Sequence, residues 1–335
     1  MQPPDASATT VEPAAPLAKP RVAGRARPLD ILLRFGMVWV LIALVICADL
    51  VSPGFFEIGN LRNILTQNAP VGLVAVGMTF VIIAGGFDLS VASIAAAGGV
   101  LFASFAGHVS IPVAVAGALM AGLVAGAVNG ILITRLRVND FVTTLGTSSV
   151  FSGFAYLYSN SQPIVQNKPG FDFLGVGEIA GVPVSILVLA AAFALGGLVL
   201  AKSVYGRSIY AIGGNVEAAR LSGIRVDLIR ATTYLLTGLT AVAAGMILAS
   251  QTGVGQANVG ANITLDSIAV VIIGGTSLLG GEGAMWRTAV GLLILATINN
   301  VFDALALDTA IQEIVKGAIV IGAVGLDSLT RSRRA

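Results

Sequence analysis

The sequence predicts an all-α, polytopic membrane protein: a bundle of about ten transmembrane helices with both termini in the cytoplasm. Three observations lead there. The 335 residues are 56% hydrophobic and 11% charged, whereas soluble domains carry about 25% charged residues. Mean hydropathy is +0.91. Apolar runs recur from Ile31 to Leu326 without a polar block of domain size between them. The expected organisation is a disordered cytoplasmic tail over 1–28, a membrane domain over 29–329 and a basic tail over 330–335.

A spanning helix needs about 20 mostly apolar residues. The runs lie at roughly 34–52, 69–84, 89–107, 111–134, 141–159, 182–200, 230–250, 266–279, 288–305 and 309–327. Those at 69–84 and 266–279 are short, and each meets a Gly-Gly break. If ten spans alternate from a cytoplasmic N-terminus, 16 of the 19 Lys and Arg fall at cytoplasmic segments and helix ends. This satisfies the positive-inside rule, and nine or eleven spans would spoil it. The first 28 residues, Pro/Ala-rich with scattered Arg, lack the apolar core of a signal peptide.

Glycine is abundant, at 41 residues. In lipid, small residues let helix backbones approach closely. Gly122, Gly126 and Gly130 share one face of the fourth span, as a moving contact or as static packing. Val81-Ile82-Ile83-Ala84-Gly85-Gly86 is echoed by Val271-Ile272-Ile273-Gly274-Gly275. Paired Gly-interrupted segments can mark a transport pathway, although the downstream spacings differ.

Several classes of function lack support. A net charge of +2 offers no footprint for nucleic acid. Cys47 and His108 are each the only residue of their kind, so neither an intramolecular disulfide nor a metal cluster of the usual type can form. No G-x-x-x-x-G-K-[ST] loop occurs, so the chain does not hydrolyse ATP by that chemistry. No nucleophile–base constellation suggests an enzyme.

The segment between spans six and seven is more informative. Gly213-Gly214-Asn215 signals a turn, and Asn215 is a good N-cap. Val216 to Leu221 then makes one or two helical turns, with Glu217 in the first turn where the dipole favours an acid, and Gly223 as the stop. The reading is a short helix on the cytoplasmic side, either a protrusion for a soluble partner or a plain connector.

This loop resembles the coupling loop of the ribose-type branch of ATP-binding-cassette importer permeases, which serves ribose, xylose, arabinose and galactose. Further segments resemble that family in its order. Ala75 to Ala84 run into Gly85-Gly86-Phe87-Asp88-Leu89-Ser90. Phe141-Val142-Thr143-Thr144-Leu145-Gly146-Thr147 follows. Leu265 to Leu278 lead to Gly280-Gly281-Glu282-Gly283. The resemblance spans Asn60 to Asp327. Phe87 and Ala92 depart from the family's usual aliphatic residue and glycine. The resemblance implies a conduit for a monosaccharide in the bacterial inner membrane. Its partners would be a second permease copy, membrane lipid, a cytoplasmic ATPase subunit that hydrolyses the ATP, and an extracytoplasmic sugar-binding protein. No cofactor is expected in this chain. Gly213, Gly214, Asn215, Glu217, Ala218 and Gly223 are the implied ATPase contact.

Polar residues in spans are costly and need a reason. Asp88 is either a gate contact or the N-cap of the third span. Glu313 and Lys316, three apart on one face, suggest an internal ion pair. With Asp303 they could instead form the relay of an ion-coupled secondary transporter, the competing function. Asp266 caps a helix or lines the pore. Gln67, Gln251, Asn299 and Asn300 either line a sugar pathway or glue helices together.

Overall fold

A computed structural model describes residues 36–332, without the side chains of 320, 323, 324 and 326–332. The tail expected over 1–28, the entry at 29–35 and residues 333–335 lie outside the described residues. Helices follow one another as α1 (Gly36–Val51), α2 (Ile58–Ile83), α3 (Val91–His108), α4 (Ile111–Thr134) and α5 (Asp140–Tyr158). After a loop carrying β1 (Ile164–Val165), α6 (Phe173–Val176), β2 (Glu178–Ile179) and β3 (Val182–Pro183) come α7 (Val184–Lys202), α8 (Val204–Gly214) and α9 (Val216–Leu221). Then follow α10 (Val226–Thr252), β4 (Val254–Gly255), α11 (Ile263–Ile273), α12 (Met285–Ala304) and α13 (Thr309–Ser332). The strands form two small antiparallel pairs, β1 with β4 and β2 with β3.

Among the described residues, six helices are long and apolar enough to cross a membrane: α2, α3, α4, α7, α10 and α12. α1 and α11 are apolar but shorter. The protein is therefore a polytopic helical membrane protein.

α2 corrects the expected short span at 69–84. It starts at Ile58 and is 26 residues long, with Pro70 inside it. The polar stretch Asn60–Asn68 hid its first half, although two of its amides, Asn60 and Asn68, are met by α12. Asn300 Nδ2 donates to Asn60 Oδ1 at 2.9 Å, and Asn299 Nδ2 to Asn68 Oδ1 at 3.2 Å. Pro70 has no N–H for the Thr66 carbonyl four residues back. Gln251 Nε2 takes its place at 3.0 Å.

The core gathers around α10, whose neighbours α3 and α4 approach it backbone to backbone. A Cβ on Gly122 would lie 2.6 Å from the Gly238 carbonyl, and one on Gly130 would lie 2.8 Å from that of Ala231. A Cβ on Gly126 would collide with the carbonyl of Tyr234. The small-residue face of α4 is thus a packing seam. Met78, Phe102, Val242 and Ile247 fill the space beside it.

α11 is only 11 residues long, about 16 Å. Before it, residues 256–262 run without regular structure beside α3. At one end β4 packs against α3, where a Cβ on Gly255 would lie 2.8 Å from the Ala103 side chain. At the other end Thr264 Oγ1 accepts the Ala92 amide at 3.3 Å.

Candidate functional site

α8 and α9 are set by their caps. Ser203 Oγ accepts the Gly206 amide at 2.9 Å and starts α8. Asn215 Oδ1 accepts the Ala218 amide at 2.9 Å and starts α9, satisfying a donor that a helix start leaves orphaned. α9 stops in a Schellman turn. Gly223, at φ +82°, donates to Arg220, and Ile224 to Ala219, the pairing such a turn requires. Ala219 is buried with Ile212 and Val226, so α9 sits down on that patch. Its opposite side presents Val216, Glu217, Ala218 and Leu221, the last 88% exposed.

Gly213 and Gly214 do not form the expected turn; they are the last two residues of α8. Gly214, Asn215, Glu217, Ala218 and Gly223 are exposed, but Gly213 faces into the membrane domain. A Cβ on Gly213 would collide with the Ile83 carbonyl and the Gly281 amide. Ile83 and Gly281 are themselves joined by a hydrogen bond from the Gly281 amide at 2.9 Å. A Cβ on Gly280 would lie 2.9 Å from Gly85 Cα. Three chain segments therefore meet through glycine backbone: the end of α2, the end of α8 and the loop that follows α11. Tyr210 Oη on α8 adds a bond to the Gly283 carbonyl at 2.8 Å. Burial raises the Tyr210 phenol above its usual range, with Arg287 opposing, so it remains a donor.

The two Gly breaks share one geometry. Gly85 and Gly275 have φ +77° and +80°. Gly85 donates to Ile82 and Gly86 to Val81; Gly275 donates to Ile272 and Thr276 to Val271. The echoed residues form the same Schellman cap twice.

Beyond the α2 cap, Asp88 is fully buried. It is not the N-cap of α3, a position held by Ser90. Its Oδ1 accepts the Ser90 amide at 3.0 Å and hydroxyl at 2.6 Å, and its Oδ2 accepts Thr237 Oγ1 at 2.9 Å. Asn129 Nδ2 donates to Ser90 Oγ, and Thr147 Oγ1 to Asn129 Oδ1. The acid thus anchors a chain of bonds through α3, α4, α5 and α10. Nearby, Asp140 at the start of α5 holds Arg230 of α10 at 2.7 Å and accepts from Tyr234 Oη at 2.8 Å.

The other expected pathway residues do not converge. Gln251 supports the Pro70 gap. Asn299 and Asn300 pair with α2, and Gln67 is exposed. The anticipated Glu313–Lys316 pair is also corrected. Lys316 Nζ faces Asp266 Oδ2 at 3.9 Å, while Glu313 accepts from Asn262 at 2.8 Å. The carboxylate on α11 competes for the lysine, which sequence spacing on α13 could not reveal. Asp303 is reached by Gln312 at 3.5 Å, not by Lys316.

A cleft of about 390 Å³ lies between α3, α5 and residues 257–264. Ser148, Ser152 and Tyr156 reach it from α5 and Ser93 from α3, with Ser93 and Ser148 hydroxyls 2.7 Å apart. Its signal in the sequence was the i, i+4, i+8 spacing of the α5 residues, which places them on one face.

A family model described as the branched-chain amino acid transport system / permease component matches residues 60–324. The chain belongs to this family. The permease is 39% identical to the ribose import permease protein RbsC of Escherichia coli (strain K12) over 293 residues, covering 86% of this chain and 91% of that protein. It is 39% identical over 290 residues to RbsC of Bacillus subtilis (strain 168), covering 86% and 90%. Against the L-arabinose ABC transporter permease protein AraH of Azospirillum brasilense it is 34% identical over 328 residues, covering 97% and 96%. No solved structure matches the permease.

Proposed function

We propose that this chain is the membrane-spanning subunit of an ATP-driven importer, translocating a monosaccharide delivered by an extracytoplasmic binding protein. It spans the bacterial inner membrane ten times with both termini inside, pairs with a second copy in a lipid bilayer, and is not an enzyme. ATP is hydrolysed by a cytoplasmic partner subunit, and this chain carries no cofactor.

The observation that carries the reading is α9: a capped helix with an exposed face, joined through α8 to a glycine junction. The segments that ten alternating spans put on the cytoplasmic side meet there. An ATPase that grips the Glu217–Leu221 face moves α8, and α8 moves the ends of α2 and of the loop after α11. The same stroke reaches α10, whose Arg230 holds Asp140 at the start of α5. This is a packed switch driven from one end. Sugar as cargo is supported by relatives named for ribose and arabinose import.

The test is uptake of D-ribose and L-arabinose by vesicles holding the permease, its ATPase and its binding protein. ATP-dependent import of either is expected. Import that persists without ATP and the ATPase sinks the reading. Glu217→Arg should weaken ATPase co-purification while the permease keeps its melting temperature; unchanged co-purification removes Glu217 from the contact.

A further inference from the structure

We infer that the cleft between α3, α5 and the irregular segment before α11 is where the transported solute touches this chain, and that it is built for a neutral polyol. The inference rests on the importer reading and adds the residues and their chemistry.

Position comes first. Ser148 lies eight residues into α5, about 12 Å along a helix of about 28 Å. Its partner Ser93 sits in the first turn of α3. Farther along the same two helices, Ser104 and Tyr158 pair at 3.1 Å. The cleft therefore begins near mid-helix and rises toward the end of α5. Residues 256–262 descend beside it. In hydrocarbon, non-helical backbone is tolerated only if buried in protein or lining a water-filled cavity. Asn258, Ala261 and Asn262 are exposed on this chain, which fits the second case. Interrupted helices with irregular entries recur at the solute sites of transporters as a physical class.

The chemistry of the lining comes second. Ser93, Ser148, Ser152, Tyr156, Asn258 and Thr264 all border the cleft. Each offers neutral hydrogen-bonding capacity. Among the described residues, the side chains of Ser152, Tyr156 and Asn258 make no hydrogen bond to another protein group, so their groups are available to water or solute. No carboxylate, ammonium or guanidinium lines the space. Two helix N-termini border it, those of α3 and α11; Asp88 stands just before the first and Asp266 in the first turn of the second, and an acid at such a place offsets the partial positive charge. A zwitterionic amino acid would find no counter-charges here. A polyol finds donors and acceptors spaced along one wall, with alanines between, and a volume within the range of about 300–1,000 Å³ for small-molecule sites.

Three other sets of groups were candidates for the path. The α2–α12 amides bond in two pairs, Asn299 with Asn68 and Asn300 with Asn60, leaving Asn299 Oδ1 buried without a partner; the cavity beside Gln251 includes Lys168 and Asp172, and the groove around Met120 and Phe154 is apolar. A smaller uncharged polar pocket of about 180 Å³ adjoins the α3–α5 cleft through Tyr156, Ala257 and Asn258 and extends it; the α3–α5 cleft, at about 390 Å³, is the larger of the two.

The experiment uses the full complex in cells or vesicles with Cys47→Ser, which removes the single cysteine. Single cysteines are placed at Ser152, in the cleft, and at Val150, on the apolar side of α5. A membrane-impermeant methanethiosulfonate added outside should modify Ser152→Cys at least tenfold faster than Val150→Cys. D-Ribose or L-arabinose uptake should fall at least tenfold in Ser152→Leu and Asn258→Leu, with melting temperature and ATPase co-purification unchanged. Ser152→Thr, which keeps the hydroxyl, should retain most uptake. Equal labelling at the two positions, or wild-type uptake in both leucine variants, overturns the site and leaves the importer reading intact. Import of L-leucine but of neither pentose by the wild-type complex overturns the sugar reading and the polyol with it; labelling of Ser152→Cys still reports whether the cleft carries water.

Discussion

Helices α2 and α11 stop on the same Schellman cap, yet one has 26 residues and the other 11. The shared ends come from shared residues, Val-Ile-Ile followed by a glycine in the left-handed region. The unlike starts come from what each segment meets. α2 extends backward because α12 supplies amides for its polar turns and Gln251 covers the carbonyl that Pro70 leaves open. α11 starts late although Asn262 just before it bonds Glu313: Gly260, at φ +74°, turns the chain there, and the approach stays irregular beside the cleft. A helix end can be written locally, whereas a helix start in a membrane depends on partners elsewhere in the chain.

This contrast can be broken or sharpened by substitution. Gly213→Val should have the largest effect, because the new side chain meets backbone from both helix exits at once. A loss of about 3 kcal/mol or more is expected from overpacking against groups that cannot rotate away, read as a drop in melting temperature and loss of ATP-dependent uptake. Asp88→Asn comes next. It has no counterpart after α11, where Leu278 stands at the matching place, and it replaces a buried carboxyl group that accepts three bonds. A cost of about 2 kcal/mol is expected, confined to the α2 side in hydrogen exchange. Gly85→Ala and Gly275→Ala should each cost about 1–2 kcal/mol for forcing a Cβ into the left-handed region. Clearly unequal costs in detergent unfolding would mean that the two caps are alike only in outline. Asn215→Ala should cost about 1 kcal/mol, seen as faster exchange of the Ala218 amide. Gly214→Ala has open space around it and should gain up to about 1 kcal/mol from helix propensity. A loss there would mean that the junction reaches one residue farther than its contacts indicate.

Much of the fold was legible because membrane helices are long apolar runs and their ends carry Gly, Asn and Ser. The caps at Asn215 and Gly223 and the break at Gly85 are local features of this kind. Gly-Gly before Asn signals a turn in isolation; the close approach of Ile83 and Gly281 to Gly213, which no local pattern encodes, goes with its place inside a helix. The amides of α2 and α12 carried no hint of partners more than 200 residues apart. Spacing along α13 pairs Lys316 with Glu313, whereas the carboxylate it faces is Asp266 on α11. The α3–α5 cleft was visible only as a spacing of hydroxyls, and serines occur widely in such helices. Its meaning depends on residues 256–262 returning beside α3, a long-range event that no local pattern encodes.

The glycine junction has one further consequence. In a gear train, lost motion comes from compliant teeth, and in a protein the compliant parts are side chains that can change rotamer. Where Ile83, Gly85, Gly213, Gly280 and Gly281 touch, the bearing surfaces are main chain. A displacement entering through α8 would be passed on by main chain rather than by side chains. Such a joint would have little backlash, and its glycines are the tolerance to which it is cut.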